Sequence, residues 1–559
     1  MSARSDAEPA RSPDEIDRMI EQMTLDQKVG QCMTLAFYGT ELTDKVVDRI
    51  ETLHCGGLRI TPHVTTAGNP DLVRGPAPYC TPGQYAETLN DLQAVAADRP
   101  LGLPLHMVTD QEGDFSVDIL RGLALFPSQM GLTATGSVEL ARRCAREAAR
   151  QLRAIGVHMI HSPVLDVNLN PKNPEIGCRS FSNSPRLCAE YGEAMMEGLR
   201  EGGIIATGKH FPGRGDSEED AHYTLPVLKA PRERLDAVEL MPYRALIPKG
   251  LPAVMTAHNA YEALDSSGTP ASISRDIVTG LLRDELGFDG VITTDSMGME
   301  GLKAFCPEPE GCARALAAGN DLVLVKECDD TPFEAHEAIQ RAVRDGRIPE
   351  EQLDASVRRI LLMKQRYGLF TDRYVRPEMA DSVCGSPSAA DAANAAAEQC
   401  LTLVRDSARL LPLTTTMDVM VLLPIHPLYH EKGNDAGCSP ARLYHAIRDR
   451  APRSALVELE VPETEESIRH AVARSEQFDV VVAANLVWRG PATSHRTIRA
   501  LIEAGRRVAV VSNNIYDDRF LPEAGTLLVT YSGMPASADA AAAALFGELG
   551  PAGNSPFGE

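Results

Sequence analysis

The feature that most restricts the fold is a rhythm in the first 330 residues, where short apolar runs alternate with longer stretches of amphipathic, helical spacing. The runs fall at 57–60, 105–109, 157–160, 204–207, 253–256, 291–294 and 321–325, and segments such as 138–155 and 185–201 lie between them. Runs this short, bounded by helix patterns, read as buried strands. Strand, helix, strand in steady repetition calls for a parallel sheet, because each helix carries the chain back to the same end. The number of units suits a closed (β/α)8 barrel of the TIM type. This barrel is predicted over 14–370. A disordered tail is expected at 1–13, where Ser12-Pro13-Asp14-Glu15 marks the first helix start.

The ends of these runs carry more information than the runs. Read to their last residues, they give Asp110, Asp166, Lys209-His210, His258 and Asp295. Strand-end aspartates often cap the next helix, so each taken singly has a bland explanation. Five polar ends in register do not, because a barrel gathers them at its C-terminal face, where catalytic groups sit.

Beyond residue 329 a helical stretch includes 353–364, and the Pro-, Ser-, Asp- and Gly-rich segment that follows is predicted to be a linker, placed at 371–395. A second set of apolar runs follows at 401–404, 419–423, 480–483, 508–511 and 527–531. Helical patterns separate most of them, so 396–559 is expected to form a C-terminal α/β sandwich domain with an open, doubly wound sheet. No glycine-rich loop follows its first strand, which argues against a bound nucleotide.

Composition closes off several functions. A net charge of −23 disfavours nucleic acid and anionic membrane surfaces as partners. The 12 cysteines include no C-x-x-C pair, so neither a zinc site nor a redox dithiol is indicated. The first 17 residues lack an apolar signal core, and no run is long enough to span a bilayer. A cytoplasmic protein, monomer or homodimer, without metal or cofactor, is the expectation.

The candidate chemistry centres on Lys209-His210-Phe211-Pro212-Gly213-Arg214-Gly215-Asp216 and its continuation through Asp220-Ala221-His222. Proline and glycines force an irregular loop after the strand tip. On such a loop Asp220 and His222 are close enough to touch, and an imidazole oriented by a carboxylate can donate and then accept a proton. A solvated acidic surface loop would show the same run of Glu218, Glu219 and Asp220. Asp295, in Thr293-Thr294-Asp295-Ser296-Met297-Gly298-Met299, ends a β-branched strand. The pattern fits a helix N-cap as well as a carboxylate aimed at a substrate.

The chain resembles glycoside hydrolase family 3, in particular its bacterial β-N-acetylglucosaminidase branch in two-domain form. The blocks that carry the resemblance are Asp110-Gln111-Glu112-Gly113, Phe126-Pro127-Ser128-Gln129-Met130, Pro163-Val164-Leu165-Asp166-Val167-Asn168, Asn173-Pro174-Glu175-Ile176-Gly177-Cys178-Arg179-Ser180-Phe181, the Lys209 loop, Met255-Thr256-Ala257-His258 and Thr294-Asp295-Ser296. The resemblance implies Asp295 as nucleophile, His222 as acid/base and Asp220 as its partner. It implies Asp110, Arg179, Lys209 and His210 as holders of the terminal sugar, and His258 and Met299 are placed in the same pocket. The expected reaction is retaining release of terminal β-linked N-acetylglucosamine, or a related amino sugar, from small glycosides or muropeptides. A carboxylate and an imidazole on opposite sides of an anomeric carbon suit it.

Two positions depart from the family pattern. Asp118 stands where a sugar-binding arginine is expected, and Arg214 replaces a histidine of the glycine loop. Both are taken as pocket residues. Compensation by Arg121 or Arg214, or a substrate carrying an amine that Asp118 would attract, are the two explanations. The alternative activities are a phosphorylase that uses phosphate as acceptor in place of water, because an imidazole repels an anion less than a carboxylate does, or a specialised natural-product glycosidase. The alternative of another class is an inactive sugar-binding protein.

Overall fold

The computed structural model describes residues 12–62, 64–66, 74–76, 80–425, 441–486 and 494–557. Of the expected tail only Ser12 and Pro13 are among them. They open the helix Pro13–Gln22, where the Ser12 hydroxyl accepts from the Glu15 amide and Glu15 reaches back to Ser12.

Eight strands close the barrel: β1 (Met33–Tyr38), β2 (Gly57–Thr61), β3 (His106–Thr109), β4 (Met159–Ile160), β5 (Ile205–Phe211), β6 (Ala253–Thr256), β7 (Val291–Ser296) and β8 (Leu322–Val325). They pair in chain order, β8 returns to β1, and all pairings are parallel. Seven of the eight coincide with the apolar runs of the sequence. β1 was not among them, because Met33-Thr34-Leu35-Ala36-Phe37-Tyr38 follows the helix Leu25–Gln31 with only Cys32 between and no glycine or proline to punctuate it.

The helices Val138–Ile155 and Pro185–Glu201 pack side by side on the barrel's outside. The first starts on the Ser137 side chain and stops at Gly156, whose φ of 105° suits glycine. The segment expected to be a linker is instead largely helical. Pro377–Val383 lies against the helix Pro82–Ala97, and the Asp381 carboxylate accepts from the Gly83 amide at 2.8 Å. Pro387–Cys400 buries Ala389, Ala392, Ala393, Ala396 and Ala397. A helix whose contact face is alanine gives a weak apolar signal, hence the misreading.

The C-terminal sheet has six strands: β9 (Thr402–Asp406), β10 (Val419–Ile425), β11 (Ala455–Glu460), β12 (Val480–Asn485), β13 (Val508–Ser512) and β14 (Thr526–Val529). Their order is β9-β14-β13-β12-β10-β11, with β9 antiparallel at one edge. β11 escaped the sequence reading because it is the other edge and alternates buried with exposed residues. Alternate side chains of the central strands enter two separate cores, Val480 and Val482 on one face, Val481 and Ala483 on the other. Helices cover both faces. The barrel contributes to both cores as well: Phe115, Val117, Leu120 and Leu125 to the first, Met130 and Ala134 to the second.

No helix among the described residues is long and apolar enough to cross a membrane. The described cysteines are all free.

Candidate active site

The polar strand ends converge at the C-terminal mouth of the barrel. Asp110, directly after β3, accepts from Lys209 Nζ of β5 at 3.0 Å and lies 3.4 Å from His161 Nδ1. It also pairs with Arg59 of β2. Burial works to raise the Asp110 pKa, but Lys209 and Arg59 overcome it and hold the carboxyl well below its ordinary value. Glu112 lies under this group. Both its oxygens accept from Arg179, at 2.7 and 2.8 Å, and Lys209 Nζ is 2.6 Å away. Against its burial, Arg179 and Lys209 bring its pKa down to about 2. A bidentate fork of this kind fixes the Arg179 side chain in one orientation.

Arg214 does not compensate for the arginine missing at Asp118, because its guanidinium faces Glu175 and Asp295. The replacement cation is Arg59, which stands 2.6 Å from Asp118 Oδ2 while also reaching Asp110. The same Asp118 oxygen accepts from the Thr109 hydroxyl at 3.2 Å and from the Asp110 amide at 2.9 Å. With its side chain 9% exposed and that oxygen committed three times, Asp118 braces Asp110 and offers an incoming amine little. A single charged residue inside the apolar run Gly57-Leu58-Arg59-Ile60 was the available signal for Arg59.

His210 and His258 serve different ends. His210 Nδ1 sits 2.6 Å from Asp166 Oδ2. Burial, with Arg214 and Lys209 nearby, lowers the His210 pKa far below its usual value, so the ring is neutral with its proton toward Asp166 and Nε2 as an acceptor. Burial lifts Asp166 to about 6. His258 was expected in the sugar pocket, but both its nitrogens are taken by the protein: Nδ1 lies 2.7 Å from the Ser272 hydroxyl and Nε2 donates to the Ser296 carbonyl at 2.9 Å. It is fully buried and braces the residue after Asp295. Met299 is 5% exposed, and its amide donates to the Ser296 carbonyl at 3.2 Å.

Asp295 occupies the C-terminal part of β7, its Oδ1 accepting from the Ser296 amide at 2.8 Å. Its Oδ2 lies 3.4 Å from Arg214 Nη2. Burial would raise its pKa; Arg214, then His258 and His222, outweigh that and keep it ionised far below the usual range. The same Arg214 nitrogen is 3.1 Å from Glu175 Oε1, and that oxygen is 3.0 Å from His222 Nδ1. His222 Nδ1 is also 2.7 Å from Asp220 Oδ1, which accepts the His222 amide at 2.8 Å. An unbroken line of contacts thus joins the carboxylate of β7 to the imidazole of the loop. Glycine allows the loop to sit there, since a Cβ on Gly301 would meet the Thr224 carbonyl at 2.1 Å.

Four side chains of this set stay partly open to solvent: Asp110 at 30%, Asp295 at 16%, Asp220 at 15% and His222 at 34%. Lys209, Arg179 and Arg214 are buried behind them. Glu112, His161 and Glu175 belong to the same network. No role followed for them from sequence, because the partners that matter lie far along the chain, as with Glu112 and Arg179, 67 positions apart. Glu175, Asp220 and His222 place ligand-type atoms within 4.8 Å of one another, but Arg214 already supplies that set with a cation.

The sequence model for the glycosyl hydrolase family 3 N terminal domain matches residues 24–363. The chain belongs to glycosyl hydrolase family 3 and is a glycoside hydrolase. It is 29% identical to a "Beta-N-acetylglucosaminidase/beta-glucosidase" of Cellulomonas fimi, over 96% of this chain and 94% of that protein. The structure of a family 3 β-N-acetylglucosaminidase from Paenibacillus sp. str. FPU-7 is similar with a TM-score of 0.84 and 32% identity, covering 96% of this chain and 99% of that one. A β-glucoside phosphorylase shares the fold at a TM-score of 0.81 and 22% identity, covering 98% and 96% of the two chains.

Proposed function

We propose that this family 3 enzyme releases terminal β-linked N-acetylglucosamine with retention, using Asp295 as nucleophile and His222, oriented by Asp220, as acid/base. The observation that carries the reading is the contact line Asp295, Arg214, Glu175, His222, which brings an ionised carboxylate and an imidazole to one barrel mouth. In the first displacement Asp295 attacks the anomeric carbon, the bond to the aglycone oxygen breaks, and that oxygen takes the proton from His222 Nε2. In the second, His222 removes a proton from water, the water oxygen bonds to the anomeric carbon, and the ester bond to Asp295 breaks. Asp110, Lys209, His210 and Arg179 would hold the sugar, with Arg59, Glu112 and Asp118 fixing their positions. The names of the Cellulomonas and Paenibacillus proteins support the choice of sugar.

Water is favoured over phosphate as acceptor. A lone imidazole would tolerate an anion, but here Asp220 and Glu175 both lie within 3.0 Å of the His222 ring and Asp295 lies beyond them. The test is turnover of aryl β-glycosides of N-acetylglucosamine, glucosamine and glucose, with and without phosphate. The expected result is free β-N-acetylglucosamine as first product, a preference over the glucosaminide, and no sugar phosphate. An α-anomer as first product, a sugar phosphate, or no release from the N-acetylglucosaminide would each overturn the proposal.

The dyad makes its own prediction. His222→Ala is expected to cost about 10²–10³-fold in kcat/KM on glycosides with poor leaving groups, which need protonation, and much less in kcat/KM on 2,4-dinitrophenyl glycosides, which do not. With the activated substrate, the glycosyl-enzyme should accumulate because the base for its hydrolysis is missing. Equal losses on both substrates would remove His222 from proton transfer.

A further inference from the structure

The loop that carries Glu112 leaves the barrel and ends inside the C-terminal domain. Two residues after Glu112, Asp114 has a φ of 48°, a left-handed backbone that favours glycine. Its carboxylate is buried and bonds to the second domain: Oδ1 accepts from the Gly533 amide and Oδ2 from the Asn513 side chain, each at 2.8 Å. Gly533 can approach because it has no side chain; a Cβ there would meet the Phe115 ring at 2.4 Å.

Asn513 belongs to a tight loop after β13, and its neighbours grip the barrel too. Asn514 Oδ1 accepts from the Cys178 thiol at 3.7 Å, next to Arg179. The Tyr516 hydroxyl accepts from the Asn168 side chain at 2.7 Å, and Asn168 Oδ1 accepts the Gly177 amide at 3.2 Å. The loop itself is held from inside its own domain. Asp517 is fully buried, with the Ser512 hydroxyl at 2.6 Å, the Asn485 amide at 2.6 Å and the His495 ring at 2.9 Å. So one braced loop touches the residues flanking both partners of the Glu112–Arg179 fork. Those partners come from separate barrel loops, and their geometry to the sugar depends on how the two loops sit relative to each other.

We propose that loop 512–517 of the C-terminal domain is a positioning element of the sugar pocket, holding the Glu112–Arg179 pair in register through Asp114 and Cys178. The second domain on this view sets substrate affinity as well as covering the barrel. This inference rests on the functional reading above only for its kinetic readout.

Asp114→Gly removes the carboxylate at a position whose backbone glycine prefers, and Asn513→Ala removes its partner. Asp114→Asn keeps the shape, tolerates positive φ and can re-form both hydrogen bonds once the Asn513 amide turns over. With p-nitrophenyl β-N-acetylglucosaminide, the first two variants are expected to raise KM about tenfold with kcat within about threefold, the signature of lost uniform binding. Asp114→Asn should restore KM. Hydrogen exchange on the full chains should show faster amides at 110–126 and 176–180 in the first two variants and not in Asp114→Asn. Unchanged KM, unchanged exchange at 176–180, or a loss shared by Asp114→Asn would overturn the proposal. If the wild-type enzyme fails to turn over the substrate, the functional reading falls, and the exchange comparison alone decides the role of the loop.

Discussion

Replacing Asp295 with alanine is expected to slow sugar release by at least about 10⁴-fold, the scale of losing the group that forms the covalent intermediate. Three features of the carboxylate support that size. It stands at the C-terminal end of a barrel strand, where the backbone is rigid. It is kept ionised by Arg214 against the effect of burial, so it is a weak base that can still attack carbon and later leave. Its backbone is braced from behind by the His258 bond to the Ser296 carbonyl. The variant vacates one face of the anomeric carbon, so azide should partly restore turnover and give the α-glycosyl azide by a single inversion. Asp295→Asn, which preserves the Ser296 contact, controls for local disturbance and should be comparably slow. Activity of the alanine variant within about tenfold of wild type, or a β-azide product, would exclude Asp295 as the nucleophile.

The parts of this site that could be read from sequence are those whose meaning is local. Asp220 and His222 are two positions apart, and their mutual contact follows from spacing on an irregular loop. Asp110, Lys209-His210, His258 and Asp295 were visible because each lies within two residues of the point where a barrel strand stops; Asp166 sits farther out, on the stretch that follows β4. Helices 138–155 and 185–201 were bounded by serine, proline and glycine at the expected places. What escaped depended on distance. Arg59 reaches Asp118 and Asp110 from the neighbouring strand, and nothing near residue 59 announces a partner more than 50 positions away. Glu175 gains its role from Arg214 and His222, which sit on another loop. His258 shows the converse error, a strand-end histidine that looked available and is fully used by Ser272 and Ser296. Sequence pattern places a polar group at the barrel mouth; which groups remain for a ligand is settled by tertiary pairing.

Arg214 is where stability and chemistry depend on the same side chain, and Arg214→Met is expected to damage both. The guanidinium is 1% exposed, and its Nη2 lies 3.1 Å from Glu175 and 3.4 Å from Asp295. Nε and Nη1 find no hydrogen-bond partner among the described residues, so its contribution is chiefly electrostatic. Methionine matches the unbranched stem but leaves the buried Glu175 and the half-buried Asp295 without their strongest counter-charge, which costs about 3–5 kcal/mol at neutral pH. The sign with pH follows from the shifts. In the wild type Glu175 and Asp295 are depressed, with Arg214 the strongest influence opposing burial, so they contribute stability above their unfolded pKa and lose it as pH falls through the folded values. Without Arg214, burial prevails and both pKa values rise, so the variant gains on protonation what the wild type loses. The stability gap between the two proteins should therefore be widest near pH 7 and shrink towards about pH 4 in urea titrations. The acid limb of kcat/KM should move to higher pH in the variant, because a protonated Asp295 cannot attack. Arg214→Lys, which keeps the charge, should recover part of both effects. A gap that is the same at both pH values, together with an unmoved acid limb, would reduce Arg214 to a packing residue and break the line of contacts between the carboxylate and the imidazole.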